Sequence, residues 1–68
     1  MNRQPVKSSY IRSIGYDPKN QTLELEFNDG DVYQYENFPK AKHEALLSAK
    51  SIGQFFHKNI RAQHKASQ

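Results

Sequence analysis

The sequence predicts an α+β domain in which a three-stranded antiparallel meander is followed by two α-helices packed on one face of the sheet. Three observations predict this class. Residues 10–36 hold three short segments bounded by turn-forming residues, residues 38–63 change to helical spacing, and 68 residues suffice for one small core. We therefore expect a single domain over residues 1–68, with an ordered core at about 6–63 and frayed ends.

Alternation of apolar and polar side chains places the three strands at residues 10–16, 22–27 and 32–36. The second strand alternates most clearly, with one side formed by Leu23, Leu25 and Phe27. In the first strand, the matching side would carry Tyr10, Arg12, Ile14 and Tyr16. A charged Arg12 fits that side poorly: on an edge strand its long side chain could carry the charge out to solvent, or a bulge near Ser13 could turn Ile11 inward instead.

The turn between the second and third strands selects their register. A two-residue turn would place Tyr33 opposite Glu26, on the polar face. A three-residue loop of residues 28–30 instead pairs Tyr33 with Leu25, on the apolar face. We expect the longer loop, with Gly30 in a left-handed conformation.

The turn between the first and second strands is predicted at residues 17–20, whose sequence Asp-Pro-Lys-Asn suits a type I turn. If these four residues form the whole loop, Ile14 lies beside Leu23 and Tyr16 lies beside Gln21.

Two helices are predicted after the strands. Pro39 is tolerated in a first helical turn and opens a helix that runs to about Ala49. Its shallow apolar stripe consists of Ala41, Ala45, Leu46 and Ala49. Ser51 is placed to cap a second helix, with Gln54 three residues later, and that helix should fade after Gln63. Its apolar stripe consists of Ile52, Phe55, Phe56, Asn59 and Ile60.

Charge is distributed unevenly between the two halves of the chain. Residues 1–37 carry four Lys or Arg and six Asp or Glu, a formal charge of −2, whereas residues 38–68 carry six Lys or Arg and one Glu, a formal charge of +5. The helical half is therefore the basic half, which suits an anionic partner.

The basic residues of the second helix form the candidate nucleic-acid-binding site. Lys58, Arg61 and Lys65 recur at helical spacing, and Lys50 and His57 flank them. We predict that these five residues bind RNA or another polyanion. The alternative is that they are a solvated helix face, with Arg61 paired to a strand carboxylate.

Several short segments in a fixed order resemble a known family. They are Ser8-Ser9, Ile14-Gly15-Tyr16-Asp17, residues 22–27, Asp29-Gly30, Tyr33-Gln34-Tyr35, Phe38-Pro39, residues 49–53, Phe56 and Ile60-Arg61. Together they resemble the KTSC domain, which occurs at the C-terminus of some lysyl-tRNA synthetases and as a small bacterial or phage protein. The resemblance covers roughly residues 6–62 and implies no catalytic activity; it associates the chain with RNA. Phe38-Pro39 and Gln63-His64 depart from the usual family pattern.

No catalytic, metal or cofactor site is expected. The chain has no cysteine, and the spacing of His43, His57 and His64 does not suit metal ligation. Ser51 is better explained as a helix cap than as a nucleophile. We also expect no signal peptide or membrane span, and hence a cytoplasmic protein, because the first twenty residues contain no continuous apolar run.

The open face of the sheet supports a second hypothesis. The residues expected there are Thr22, Glu24, Glu26, Gln34 and Glu36, whose three carboxylates make the face unsuitable for phosphate. Ile11 and Val32 would flank Glu26 as a small apolar patch, and the third strand would be a free edge. The alternative function is therefore protein interaction or homodimerisation.

Overall fold

The computed structural model describes residues 2–61 and 66–67, the last two by their backbone. Among these residues the strands are β1 (Arg3–Pro5), β2 (Ile11–Asp17), β3 (Thr22–Phe27), β4 (Val32–Tyr35) and β5 (Ala66–Ser67). The helices are α1 (Lys40–Ser48) and α2 (Ile52–Phe55), which continues into a π-helical turn, Phe56–Ile60. The strands form one antiparallel sheet in the order β1-β2-β3-β4-β5, and the predicted α+β class is confirmed.

The sheet has more strands than the three predicted. β1 pairs with β2, and β5 pairs with β4 at Gln34 and Tyr35, so the predicted third strand is not a free edge there. Both added strands lie in the stretches predicted to be frayed, residues 1–5 and 64–68, of which Met1, His64, Lys65 and Gln68 lie outside the described residues. β1 escaped prediction because it is short, lacks alternation and contains Pro5, which is tolerated at a sheet edge.

A bulge in β2 decides which residues of that strand enter the core. Ile11 pairs with Phe27, but the register shifts before Ser13, which pairs with Glu26. Ile11 is consequently buried and Arg12 exposed, the outcome expected if a bulge forms near Ser13. The placement of Arg12 on the core face, and of Ile11 on an exposed apolar patch, is wrong.

The two hairpin turns differ in how well the sequence predicts them. Leu25 pairs with Tyr33, and Gly30 has a φ of 95°, which confirms the three-residue loop and its left-handed glycine. In the first hairpin, however, Tyr16 pairs with Leu23 rather than with Gln21.

The shift in the first hairpin follows from the Asp17 side chain. Its carboxylate accepts hydrogen bonds from the backbone N–H groups of Lys19 and Asn20 and from the Asn20 amide, whose bond lowers the pKa of Asp17 most. Asp17 therefore stays in β2, paired with Thr22, and the loop is residues 18–21. Because the shift is two residues, the β2 residues between the bulge and the turn, 14–17, keep their predicted faces.

The core lies between one sheet face and the helices. Its sheet side consists of Ile11, Ile14, Leu23, Leu25, Phe27 and Tyr35, and it is completed by Phe38, Leu46, Phe56 and Ile60. Of the predicted stripe of α1, Leu46 is buried and Ala49 is half-buried, whereas the prediction is wrong for Ala41 and Ala45, which are exposed. Instead, α1 is fastened at its start, where the Tyr16 hydroxyl donates to the Phe38 carbonyl oxygen.

The second helix begins as predicted. The Ser51 hydroxyl oxygen accepts a hydrogen bond from the Gln54 backbone N–H at 3.3 Å, which confirms the cap. Phe56 and Ile60 of the predicted stripe are buried, and the other three members are half-buried. Its predicted end at Gln63 lies outside the described residues. No helix in residues 2–61 is long and apolar enough to cross a bilayer.

Adjacent leucines in α1 provide a matched test of the core. Leu46 is fully buried and Leu47 is 44% exposed. We expect Leu46→Ala to lower the free energy of unfolding by about 2–5 kcal/mol, because it leaves a cavity. Leu47→Ala should change it by less than about 0.5 kcal/mol. Urea unfolding followed by circular dichroism measures both, and equal losses would contradict the assignment of the core side of α1.

Two glycines should respond to alanine in opposite ways. A Cβ on Gly53 would lie 3.5 Å from the Tyr10 Cβ, an ordinary contact, so Gly53→Ala should stabilise the fold by about 0.4–1 kcal/mol. Gly30 has open space around it but a positive φ, so Gly30→Ala should destabilise by about 1–2 kcal/mol. Thermal unfolding of both variants checks the contrast, and destabilisation by Gly53→Ala would show tighter helix–strand packing.

Candidate nucleic-acid interface

A cleft of about 550 Å³ lies between the second helix and the end of the sheet that carries the β3–β4 turn. We call it the Tyr10 cleft, and it is lined by Ser9, Tyr10, Phe27, Asn28, Asp29, Asp31, Tyr33, Tyr35, Phe56 and Arg61. Its size and aromatic lining are those of a small-ligand site. Polar groups come from the turn on one side and from the helix end on the other.

Aromatic rings form the walls of the Tyr10 cleft. The Phe27 ring lies 5.2 Å from the Tyr10 ring, 5.4 Å from the Tyr33 ring and 5.3 Å from the Phe56 ring, measured between centroids. Phe27 is buried, Tyr33 is half-buried, and Tyr10 is 40% exposed. The cleft therefore has a buried aromatic floor and a solvent-accessible aromatic ring at its mouth.

The π-helical turn brings Arg61 into this cleft. Its backbone N–H donates to the Phe56 carbonyl oxygen at 2.8 Å, a bond that spans five residues. In an α-helix, residues five apart point about 140° away from each other around the axis. The i→i+5 bond of a π turn stacks them instead, so Arg61 lines the same cleft as Phe56.

Electrostatics at the floor agree with that position of Arg61. The pKa of Tyr35 is raised to about 12, chiefly by burial and also by the neighbouring Tyr33 and Tyr10 phenols, while the Arg61 guanidinium opposes the rise. Each of these groups must be close enough to Tyr35 to act on its hydroxyl. Tyr10, Tyr33, Tyr35 and Arg61 all belong to the lining of the Tyr10 cleft.

The predicted basic residues separate into two groups. Arg61 lines the cleft, whereas Lys50 and Lys58 are exposed outside it. His57 is exposed as well, and its ring lies 5.0 Å from that of Tyr10. None of these four residues forms an ion pair with a residue in 2–61, so the expected alternative of Arg61 bound to a strand carboxylate is not found there. Lys65 lies outside the described residues.

The open sheet face is not the acidic surface that the sequence suggests. Arg3 lies 2.9 Å from Glu24, whose carboxylate also accepts from the Gln34 amide. Arg12 lies 3.9 Å from Glu26. Two of the three predicted carboxylates are thus neutralised by arginines, which sequence reasoning had assigned to a frayed end and to the core. The third, Glu36, lies beyond the end of β4, and Thr22 is half-buried.

The Tyr-x-Tyr pair is only partly enclosed. Tyr35 is buried, with its ring 6.1 Å from that of Phe56, as the predicted register requires. Tyr33 is half-buried and contributes its ring to the cleft. The sequence did not predict that Tyr10, Asp29 and Asp31 line a cleft, because Tyr10 was expected in the core and the turn was treated only as a connection.

No group of three His, Cys, Asp or Glu side chains in the described part of the chain is arranged to hold a metal ion. His43 packs against the protein instead: its ring stacks on Tyr16 at 4.4 Å, and burial lowers its pKa.

Known proteins share both the sequence and the fold of this chain. The model of the KTSC domain family matches residues 7–64. A crystal structure of a KTSC domain protein from Yersinia pestis superposes with a TM-score of 0.95 at 43% identity, covering 98% of this chain and 94% of that one.

Curated relatives include both short and long proteins. A protein of Stutzerimonas stutzeri is 45% identical over 64 residues, covering 94% of this chain and 90% of its own length. A lysine–tRNA ligase of Nostoc is 44% identical over 62 residues, covering 91% of this chain. The match spans only 11% of the ligase.

The position of Arg61 predicts its effect on the ionisation of Tyr35. Because the guanidinium lowers the pKa of Tyr35, Arg61→Gln should raise that pKa further, whereas Lys58→Gln removes the same charge outside the cleft and should leave it unchanged. Titration of the Tyr35 ring resonances by NMR measures this. If the two variants changed the pKa of Tyr35 equally, the Arg61 guanidinium would not lie near the Tyr35 hydroxyl.

The raised pKa of Tyr35 also predicts how stability depends on pH. The phenol releases its proton near pH 10 in the unfolded chain but only near pH 12 in the folded one, so stability should fall as the pH rises through this window. Tyr35→Phe should flatten the fall in the free energy of unfolding, measured by urea titration at stepped pH values. An unchanged slope would contradict the burial of this hydroxyl.

Proposed function

This chain belongs to the KTSC domain family, and we propose that it is a non-catalytic accessory module that binds RNA through the basic side of its second helix. The proposal rests on the exposure of the basic side chains in and beside the second helix and on their lack of ion pairs within residues 2–61. Lys50, Lys58 and Arg61 are exposed and form no ion pair within residues 2–61. The exposed ring of His57, next to Lys58 in the chain, lies 5.0 Å from that of Tyr10, which lines the cleft together with Arg61. Unpaired cations next to accessible aromatic rings suit a nucleic-acid surface.

Charge pairing favours the helix over the sheet as the binding face. Nucleic-acid affinity comes largely from cations that neutralise phosphates and release counterions. Arg3 and Arg12 on the sheet face are held near Glu24 and Glu26, so phosphate binding there would have to compete with existing partners. The cations of the second helix have no such competitor in residues 2–61.

The relatives offer limited support for an RNA partner. Some are lysine–tRNA ligases, whose name assigns them a tRNA, and this chain corresponds to a small part of their length. The ligase activity itself is not part of the proposal. An RNA partner also fits the cytoplasmic location expected from the sequence.

The protein-interaction alternative has less support. It relied on Ile11 and Val32 flanking Glu26 on the open face, and Ile11 is buried in the core. The edge of β4 is paired with β5 at Gln34 and Tyr35. Sedimentation at increasing protein concentration tests for a homodimer, and a monomer at all concentrations would leave RNA binding as the working hypothesis.

RNA binding should depend on salt and on the second helix. We expect a labelled single-stranded RNA to bind more weakly as salt increases, with the slope reduced by about 0.7 for each phosphate contact removed. Lys50→Gln with Lys58→Gln should therefore reduce affinity and lower the slope by about 1.4. Fluorescence anisotropy at several salt concentrations provides the measurement, with a structured RNA in parallel.

The matched control loses the same charge elsewhere. Lys19 and Lys40 are exposed, one in the β2–β3 turn and the other at the start of α1. Lys19→Gln with Lys40→Gln should bind RNA with nearly the wild-type salt slope. Salt-insensitive binding, or equal losses in the two double variants, would overturn the proposed function.

A further inference from the structure

We propose that the Tyr10 cleft binds one unstacked RNA nucleotide whose base carries an exocyclic amino group, with Arg61 on its phosphate. The inference rests on the proposed function and extends it, because the basic side of the helix explains phosphate binding but not base recognition. Three features of the cleft carry it: accessible aromatic rings, a cation at one end and carboxylates at the other.

The aromatic rings suit a flat ligand. Tyr10 and Tyr33 each contact the Phe27 ring, from which they lie 5.2 Å and 5.4 Å away, and neither ring is fully buried. Single-stranded RNA is commonly recognised by bases that leave the stack and pack on such rings. Stacking of this kind does not depend on base type, so these rings would contribute affinity but would not discriminate between bases.

Arg61 sets the orientation of the ligand. It lines the cleft, where its charge acts on Tyr35, whereas Lys58 and Lys50 are exposed outside the cleft. A guanidinium suits phosphate. The guanidinium in the cleft lining also disfavours a ligand that is only cationic, such as a lysine side chain, despite the carboxylates of the β3–β4 turn.

The β3–β4 turn presents the groups that would read the base. The Asp31 carboxylate makes no hydrogen bond or ion pair within residues 2–61, whereas one Asp29 carboxylate oxygen accepts from the Asp31 backbone N–H. Carboxylates only accept hydrogen bonds, and they pair with the amino group of cytosine or the corresponding donors of other amino-bearing bases. Uracil presents a carbonyl oxygen in the place of that amino group, which would face a negative charge.

Cytosine and uracil therefore form a matched pair of ligands. They have the same ring size, and they differ at the group that Asp31 would contact. We expect a cytidine octamer to bind about tenfold more tightly than a uridine octamer, within the usual range for discrimination by direct base contacts. An octamer of abasic ribose phosphate should bind more weakly than either. Anisotropy competition at fixed salt measures all three.

Two variants locate the discrimination. Asp31→Asn replaces the acceptor by an amide and should reduce the cytidine-to-uridine ratio towards one, whereas Glu36→Gln removes an exposed carboxylate outside the cleft and should leave the ratio unchanged. Tyr33→Leu should weaken both octamers towards the abasic level. Circular dichroism tests whether each variant is folded. If Tyr33→Leu does not fold, Tyr10→Leu is the second variant that removes a stacking ring.

The outcomes separate the two proposals. If cytidine, uridine and abasic octamers bind equally and with salt dependence, the cleft does not receive a base and the proposed RNA function stands. If no octamer binds, the proposed function fails. Cytidine monophosphate then tests the cleft alone by NMR: shifts at Tyr10, Tyr33 and Arg61 that are absent with uridine monophosphate would support it, and no shift would overturn it.

Discussion

The fold depends on the packing of one side chain, Phe56, against the sheet. Its ring lies within 5.8 Å of Tyr10, 5.3 Å of Phe27 and 6.1 Å of Tyr35, so it joins the second helix to three separate positions of the sheet region. Ile60, four residues later, is also fully buried. Together, these two anchors hold the π-helical turn between them, and the direction of the helix end follows from that turn. The core and the candidate site are therefore linked through the same residue.

Two departures from regular structure border the Tyr10 cleft, and both redirect side chains. The bulge in β2 buries Ile11 and leaves the preceding Tyr10 at the surface, where its carbonyl oxygen accepts a hydrogen bond from Asn28. The π turn aligns Arg61 with Phe56. Bulges and π turns each interrupt an otherwise regular hydrogen-bond pattern, and both occur preferentially near functional sites. Tyr10, next to the bulge, and Phe56, at the start of the π turn, both line this cleft and pack against each other, which gives the cleft a stronger claim to function than its size alone.

The sequence predicts those parts of the fold in which local chemistry and hydrophobic pattern agree. The pairing of Leu25 with Tyr33 follows from strand alternation and one glycine, and the cap at Ser51 follows from a hydroxyl in the right place. Prediction fails where one side chain overrides the pattern. Hydrogen bonds to the Asp17 carboxylate shift the β2–β3 turn by one residue along the chain. Pro5 is unfavourable in most strands, so β1 is recognised only from its pairing with β2. The position of Arg61 could not be predicted, because the sequence pattern does not distinguish the i→i+5 hydrogen bonds of a π-helical turn from the i→i+4 bonds of an α-helix.

The Tyr10 cleft is costly to a domain of 68 residues, and that cost is itself an argument for function. So small a chain has little apolar surface to bury, and its stability is correspondingly marginal. Yet one of its eight Phe and Tyr residues, Tyr10, remains 40% exposed at the mouth of a cleft of about 550 Å³ that is lined by other rings. A larger side chain from the β3–β4 turn could close this space and add burial, but the turn places Asp29 and Asp31 there instead. Polar residues at an unfilled aromatic cleft oppose stability, and departures of this kind are expected where a site must stay open to a ligand.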